Sequence, residues 1–512
     1  MELMKGTISM EKFAINSKRV LSVRDFNIYG HFLEHFHNQI YGGVFDPSSS
    51  FADEYGIRKD VVDALRRIRP PVLRWPGGCF VSAYHWQDGV GPDRQPSFDK
   101  AWRVEDSNAF GTDEFIRLCR SLDTEPYICT NAGTGTPEEM SDWVEYCNLP
   151  SEGKYAKRRI ANGHPEPHRV KYWSIGNENY LPGEMGAKTA AEWGYFVRES
   201  AKMMKRVDPS IQVLAASVKD IDWNATLLRQ AGPFLDWISI HGYWDWLWQN
   251  NNLSPYEKCM TYTLEIERDI LVVKHILGAF GYLGKIRIAF DEWNLRGWHH
   301  PHVNSATEDY VTPRNLNDVN SSYTMADAVF SACFLNQCLR HSDVVGMANF
   351  APTVNTRGAV FAHKDGIVLR STYFVFDLYV NLMGDEVIDC WNERSDSSFE
   401  AQNRDGVTVH VPSLDVVATR KSDTGELAVS IVNRNPEAAV PIELSFAGLG
   451  TSGALTAALH TLNGPTKDAY NDIDRPDDVK VTKETLVVAD RNSIELLIQP
   501  HSVNVLLIAG QS

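Results

Sequence analysis

Between about residues 26 and 385, short apolar runs rich in β-branched and aromatic residues alternate with stretches whose apolar positions recur every three or four residues. The first pattern suits strands buried on both faces, the second amphipathic helices, and their alternation predicts parallel βα units. The strand candidates are FNIYGHF (26–32), VLRW (72–75), PYICT (126–130), KYWSIG (171–176), IQVLAAS (211–217), WISIH (237–241), IRIAFDE (286–292) and VVGMANF (344–350). Eight units predict an α/β fold of the (β/α)8 TIM barrel type. Between the strands, Val61, Leu65 and Ile68 keep helical spacing, as do Phe115, Cys119 and Leu122, and Pro137 opens a helix carrying Trp143 and Tyr146.

After about residue 386 the period changes to two, in LAVSIVN (427–433), AVPIELSF (439–446) and SIELLIQ (493–499), which predicts a C-terminal all-β sandwich of jelly-roll-like form. The opening residues are also strand-like. The expected organisation is therefore an N-terminal strand segment (1–20) pairing with the sandwich, a catalytic barrel (21–385) and the sandwich itself (386–512). The stretch from roughly 295 to 322 is polar and unpatterned, and is expected to be a long loop at the end of strand seven.

Composition narrows the functional classes. The 512 residues, 43% hydrophobic and 23% charged, allow a large core, and a net charge of −16 disfavours nucleic acid or an anionic membrane as partner. No run is long and apolar enough for a secretory leader or a membrane span, so a cytoplasmic location is expected. Eight scattered cysteines without CxxC pairs predict neither disulfides nor a zinc knuckle.

Two glutamates carry the candidate chemistry. Glu178 closes strand four in WSIGNENY and Glu292 closes strand seven in IAFDEWN. In a barrel the C-terminal ends of strands share one mouth, so the two carboxyl groups can face one ligand. A pair held with one carboxyl protonated and one ionised is what glycosidic bond cleavage needs, without metal or other cofactor. Other readings compete. His31-Phe32-Leu33-Glu34-His35 spells the HxxEH of inverted zinc peptidases, but that site needs a helix and these residues continue a strand toward Tyr41-Gly42-Gly43. His299, His300 and His302 cluster in the polar loop, and Tyr243, Trp244, Trp246 and Trp248 offer rings that either pack or stack on sugar. A sugar-binding protein on a disused enzyme fold is the alternative from another class.

The blocks IYGHFLEHFHNQIYGGVFD (28–46), LRWPGGCFVSAYHWQDGVGP (73–92), TNAGTGTPEEMSDWVEYCN (130–148), KYWSIGNENY (171–180), ISIHGYW (238–244), IAFDEWN (288–294) and GIVLRSTYFVFDLY (366–379) resemble glycoside hydrolase family 51, the α-L-arabinofuranosidases. The resemblance spans the barrel. It implies a retaining, exo-acting hydrolase that releases terminal α-L-arabinofuranosyl groups from oligosaccharides. It further implies Glu178 as acid/base, Glu292 as nucleophile, and Glu34, Arg74, Cys79, Asn177, His241 and Tyr243 around the substrate. A homo-oligomer, hexameric in many members, is implied in the same way. One departure stands out: where many members read Ala-Gln-Leu-Val-Asn on strand eight, this chain reads Ala351-Pro352-Thr353-Val354-Asn355, so the amide that would touch the sugar is missing. Asn349 or Thr353 is the expected substitute. A β-xylosidase or endoglucanase of the same clan is accordingly the alternative enzyme.

Overall fold

A computed structural model describes residues 10–247, 252–298, 318–394, 396–447, 455–488 and 492–509. Eight parallel strands close into a barrel in chain order: Gly30–Phe32, Val72–Trp75, Glu125–Thr130, Tyr172–Ile175, Gln212–Ala216, Trp237–Leu247, Arg287–Trp298 and Val345–Phe350, the last pairing back onto the first. Helices such as Lys59–Ile68, Thr112–Leu122 and Pro137–Asn148 surround it. Their starts are written locally. Thr136 caps the helix opened by Pro137, and Thr189 with Glu192, and Thr324 with Asp327, form reciprocal capping boxes. Val61, Leu65 and Ile68 are buried on one face of their helix.

Two expectations are corrected. Residues 26–29 are not strand but a turn of 3-10 helix, because the Asp25 side chain accepts the Asn27 N–H at 3.0 Å and caps the turn; the strand begins only at Gly30. Nor do residues 295–298 open a loop. Strand seven continues to Trp298, paired with an equally extended strand six through Arg296–Asp245, Gly297–Trp246 and Trp298–Leu247. Charge hid this extension from a polarity count: Arg296 is buried in ion pairs with Asp245 and Asp327. His299, His300, His302 and the rest of that segment to 317, and Trp248, lie outside the described residues.

The C-terminal part is one continuous nine-stranded sheet that curls around its own core. Its order is Lys480–Val488, Leu455–Asn463, Ser502–Ile508, Leu427–Asn433, Leu414–Arg420, Glu386–Arg394, Glu11–Val23, Val440–Ala447 and Ser493–Ile498. Leu459 and Val488 near one edge share an apolar cluster with Ile494 and Ile498 at the other. The N-terminal strand Glu11–Val23 runs antiparallel to Glu386–Arg394 and parallel to Val440–Ala447, with Ile15 opposite both Cys390 and Phe446. The helix Met325–Arg340 is buried on nearly every side because it lies between barrel strand seven and the sheet strands that begin at Leu414, Leu427 and Ser502. Among the described residues no helix is long and apolar enough to cross a membrane.

Candidate active site

The barrel strands present two inward layers. Toward their N-terminal ends Val72, Tyr127, Tyr172, Leu214, Trp237, Ala289 and Met347 pack together as an apolar floor. Two residues further along the same strands the character reverses: Arg74, Cys129, Ser239 and Asp291 replace Val72, Tyr127, Trp237 and Ala289. Alternation explains why these residues point inward.

Alternation alone would then turn Glu292 outward. Strand seven carries a bulge there: three steps separate Ala289 from Glu292 while the paired residues Ser239 and His241 on strand six are two apart. The extra residue lets Asp291 and Glu292 both face the mouth. Glu178 arrives by another device. Strand four ends at Ile175, and a backbone turn with φ of 68° at Gly176 and 47° at Glu178 brings the carboxyl inward.

Around Glu292 the donors are fixed. Arg74 Nη1 lies 2.5 Å from Oε1 and Tyr243 Oη donates to Oε2 at 2.9 Å. The other Arg74 nitrogens meet Asn177 Oδ1 at 3.0 Å and approach Asp291 Oδ2 at 3.5 Å. His241 Nδ1 is 2.7 Å from Glu178 Oε1 and its Nε2 is 3.2 Å from Asp291 Oδ1. A carboxylate oxygen of Glu178, a nitrogen of His241 and a carboxylate oxygen of Glu292 all lie within 4.8 Å of one another.

The electrostatics follow from this packing. Burial lowers the affinity of His241 for a proton, but Glu292, Asp291 and Glu178 outweigh it and push its pKa up to about 10, so both ring nitrogens are donors. Burial raises Glu178, yet the hydrogen bond and charge of His241, with Arg74 behind it, hold that carboxyl below the ordinary glutamate range. Asp291 is held well down against its own burial by Arg74 and His241, and also accepts from Tyr127 at 2.7 Å and from Ser239. Glu34 is the opposite case: burial, then the charge of Glu292, push it up to about 8. Three donors, the N–H groups of Gly78 and Phe80 and the Trp102 indole, all converge on its Oε1.

Two glycines make this approach feasible. A Cβ on Gly77, whose φ is 155°, would sit 2.4 Å from Glu34 Cγ, and one on Gly78 would sit 2.7 Å from Glu292 Oε1. The Pro-Gly-Gly loop therefore runs directly against both glutamates and carries Cys79 beside them.

Of the residues singled out from the sequence, Glu34, Arg74, Cys79, Asn177, Glu178, His241, Tyr243 and Glu292 come together in this mouth. Asn349 is wholly buried, with its amide donating to the His31 carbonyl at 2.9 Å. Thr353 is spent as well: its hydroxyl donates to the Phe32 carbonyl at 2.9 Å and accepts the Phe32 N–H at 3.1 Å. Thr353 therefore has no free hydroxyl in place of the missing glutamine, whereas the buried Oδ1 of Asn349 has no hydrogen-bond partner. The HxxEH residues diverge. His31 packs against Phe376, with burial taking its pKa down to about 3, whereas His35 bonds Asp106 and Trp75. Trp244 is packed against Phe330 and Phe334, while Trp246 is partly exposed 5.8 Å from the Tyr243 ring.

Several residues of the site were not anticipated. Asp291 is the buried hub of the network, and its adjacency to Glu292 was the available signal. Tyr180 donates to Glu178 at 3.4 Å, and Arg357 donates to Tyr243 Oη at 3.4 Å with its guanidinium 5.0 Å from that ring. Arg357 sits in the turn after strand eight, where no period marks which side chains reach inward. Glu184, six residues beyond Glu178, brings a carboxylate oxygen within 4.8 Å of Cys79 Sγ and a Glu178 oxygen.

Comparison with known proteins points one way. Residues 64–260 match the family described as alpha-L-arabinofuranosidase 1 domain, and residues 291–502 match the alpha-L-arabinofuranosidase C-terminal domain. A probable alpha-L-arabinofuranosidase C of Aspergillus clavatus is 34% identical over 497 residues, covering 92% of this chain and 93% of that protein. The intracellular exo-alpha-(1->5)-L-arabinofuranosidase of Halalkalibacterium halodurans is 32% identical over 422 residues, covering 80% and 82%. The alpha-L-arabinofuranosidase of Thermotoga maritima, solved as an arabinose complex, superposes with a TM-score of 0.87 at 35% identity, covering 98% of this chain and all of that one.

Proposed function

The chain belongs to the α-L-arabinofuranosidases of glycoside hydrolase family 51, and we propose that it releases terminal non-reducing α-L-arabinofuranosyl groups from arabino-oligosaccharides with net retention. The observation that carries the stereochemical part is the separation of Glu178 and Glu292, whose oxygens approach within 4.8 Å. Retaining enzymes hold the two carboxyl groups about 5–5.5 Å apart, whereas inverting ones leave about 6.5–9.5 Å for a water.

In this reading Glu292 is the nucleophile. It forms a bond to the anomeric carbon as the glycosidic C–O bond breaks, and Arg74 and Tyr243, bonded to its two oxygens, keep it aimed. Glu178 passes a proton to the departing oxygen. The free site holds Glu178 below its ordinary pKa, so the proton resides on the 2.7 Å hydrogen bond with His241, which supplies it through Glu178. In the second half Glu178 takes a proton from water, the water oxygen bonds to the anomeric carbon, and Glu292 leaves. Asn177, held by Arg74, lies beside the nucleophile where the hydroxyl next to the anomeric carbon would fall. The exo action on oligosaccharides rests on the family resemblance and on the Halalkalibacterium relative's name, and action inside the cell rests on that name. The reaction needs no metal.

Pro352 supplies the one observation that favours a second substrate, a β-xyloside, because the amide contact of the family pattern is absent, Thr353 is engaged with Phe32, and Asn349, its amide N–H bonded to His31, offers only an acceptor oxygen in its place. The test compares 4-nitrophenyl α-L-arabinofuranoside with the β-D-xylopyranoside on the wild-type chain and on Glu178→Ala. The expected result is arabinofuranoside turnover with retained anomeric configuration by NMR. In kcat/KM, which reports the first half-reaction, Glu178→Ala should stay close to wild type on the nitrophenyl glycoside, whose leaving group needs no proton, and lose at least about a hundredfold on arabino-oligosaccharides. Equal losses on both would refute Glu178 as acid/base, and xyloside preference would overturn the substrate.

A further inference from the structure

We propose that Cys79, Glu178 and Glu184 form a binding site for a borderline-soft divalent cation such as Zn2+, and that occupancy shuts the enzyme off by withdrawing Glu178. Cys79 Sγ and one carboxylate oxygen each from Glu178 and Glu184 lie within 4.8 Å of one another. Only the Glu184 and Cys79 side chains of this set have no role in the double displacement described above.

Glu184 is the residue that turns proximity into a site. It is 7% exposed, and its Oε1 has no hydrogen-bond partner. A buried carboxylate oxygen left without a donor is costly, and a cation is the partner that relieves the cost. The backbone holds it in place: Leu181 N–H bonds the Glu178 carbonyl and Glu184 N–H bonds the Leu181 carbonyl, so the chain folds back from Glu178 and returns Glu184 to the same mouth.

The donor set selects the cation. One sulfur and two carboxylates suit tetrahedral Zn2+, with bonds of about 2.3 Å to sulfur and 2.0–2.2 Å to oxygen, and leave a fourth position for water. Side-chain rotations closing the group by about 1 Å bring the ligands to that spacing. Mg2+, which demands near-octahedral oxygen ligation, is not matched by a thiolate. The neighbouring group of Glu178, His241 and Glu292 is equally tight but is already filled electrostatically, since His241 is itself a cation hydrogen-bonded to Glu178. Binding at Cys79 releases the thiol proton to solvent, along with that of Glu184 where it is protonated. Affinity therefore rises with pH.

The inhibitory consequence rests on the reading of Glu178 as acid/base; the cation site does not, and two readouts on the full-length protein separate them. Zn2+ should inhibit arabino-oligosaccharide hydrolysis, with EDTA restoring it and Mg2+ without effect. Co2+ titrated into the enzyme should produce a thiolate-to-cobalt charge-transfer band at one equivalent. Cys79→Ser should abolish the band, and Glu184→Gln, shown folded by its melting curve, should weaken Zn2+ binding in calorimetry at least tenfold. A band that persists in Cys79→Ser, or no binding of either metal at millimolar concentration, overturns the site. A normal band with hydrolysis unaffected by the bound metal means that Glu178 is not withdrawn and overturns the inhibitory proposal.

Discussion

The floor and the mouth of the barrel are built by the same strands two residues apart, yet they are held together by opposite physics. The floor, from Val72 to Met347, is mainly apolar packing that gains by leaving water, with the Tyr127 hydroxyl alone of those named reaching up to Asp291. The mouth is a network in which Arg74 and His241 balance Asp291, Glu292 and Glu178 in a region nearly closed to solvent. Taking such charges out of water costs about as much as their attraction returns, so the mouth adds little stability intact and much instability when one partner is lost. Chemistry is placed where the fold is least secured by its own interactions, and the floor beneath carries the stability that tolerates it.

Removing the central cation breaks that comparison most severely. Arg74→Met strands Asp291 and Glu292 without their counter-charge, and a loss of about 3–5 kcal/mol in unfolding free energy is expected, together with activity. The sign with pH is fixed: Arg74 and His241 outweigh burial and depress the Asp291 pKa, so the stabilisation is complete above the ordinary aspartate pKa, declines as pH falls below it and is gone only at the much lower folded pKa. The gap between wild type and Arg74→Met in urea titrations should therefore narrow in acid, and a gap independent of pH would mean that Arg74 acts by packing alone. Leu214→Ala probes the floor. It should cost about 2–4 kcal/mol at every pH while kcat per folded molecule stays within about twofold; a large fall in kcat would show that the two layers are mechanically coupled. The smallest effect is a gain. Glu184 has a folded pKa raised to about 7, so wild type carries no penalty below the ordinary glutamate pKa and pays it in full above about 7. Glu184→Gln should match wild type at pH 4 and exceed it by about 1–3 kcal/mol at pH 8.5. Equal stability at both would place the Glu184 carboxyl in water.

Much of this was legible beforehand because it is local. Eight apolar strands, the helices facing them and the change to a two-residue period near 386 are written in side chains a few positions apart. The exceptions share a cause. Residues 26–29 carry a strand's composition but are turned by the Asp25 cap, and residues 295–298 carry a loop's polarity although Arg296 is paired with Asp245 and Asp327. Glu178 and Glu292 were recognisable from their places at strand ends and from the surrounding blocks.

What the sequence determined by itself is the set of chemical groups and the period that carries them: which side chains alternate, where strands end, and that two glutamates close strands four and seven. Tertiary structure alone decided how those groups meet. The bulge that turns Glu292 beside Asp291, the left-handed backbone at Glu178, the return of Glu184 to Cys79 and the reach of Arg357 to Tyr243 each depend on where a distant segment lies. The protonation states follow the same rule, since a pKa is set by burial and by charges up to a few ångströms away, and neither quantity exists until the chain has closed into a barrel.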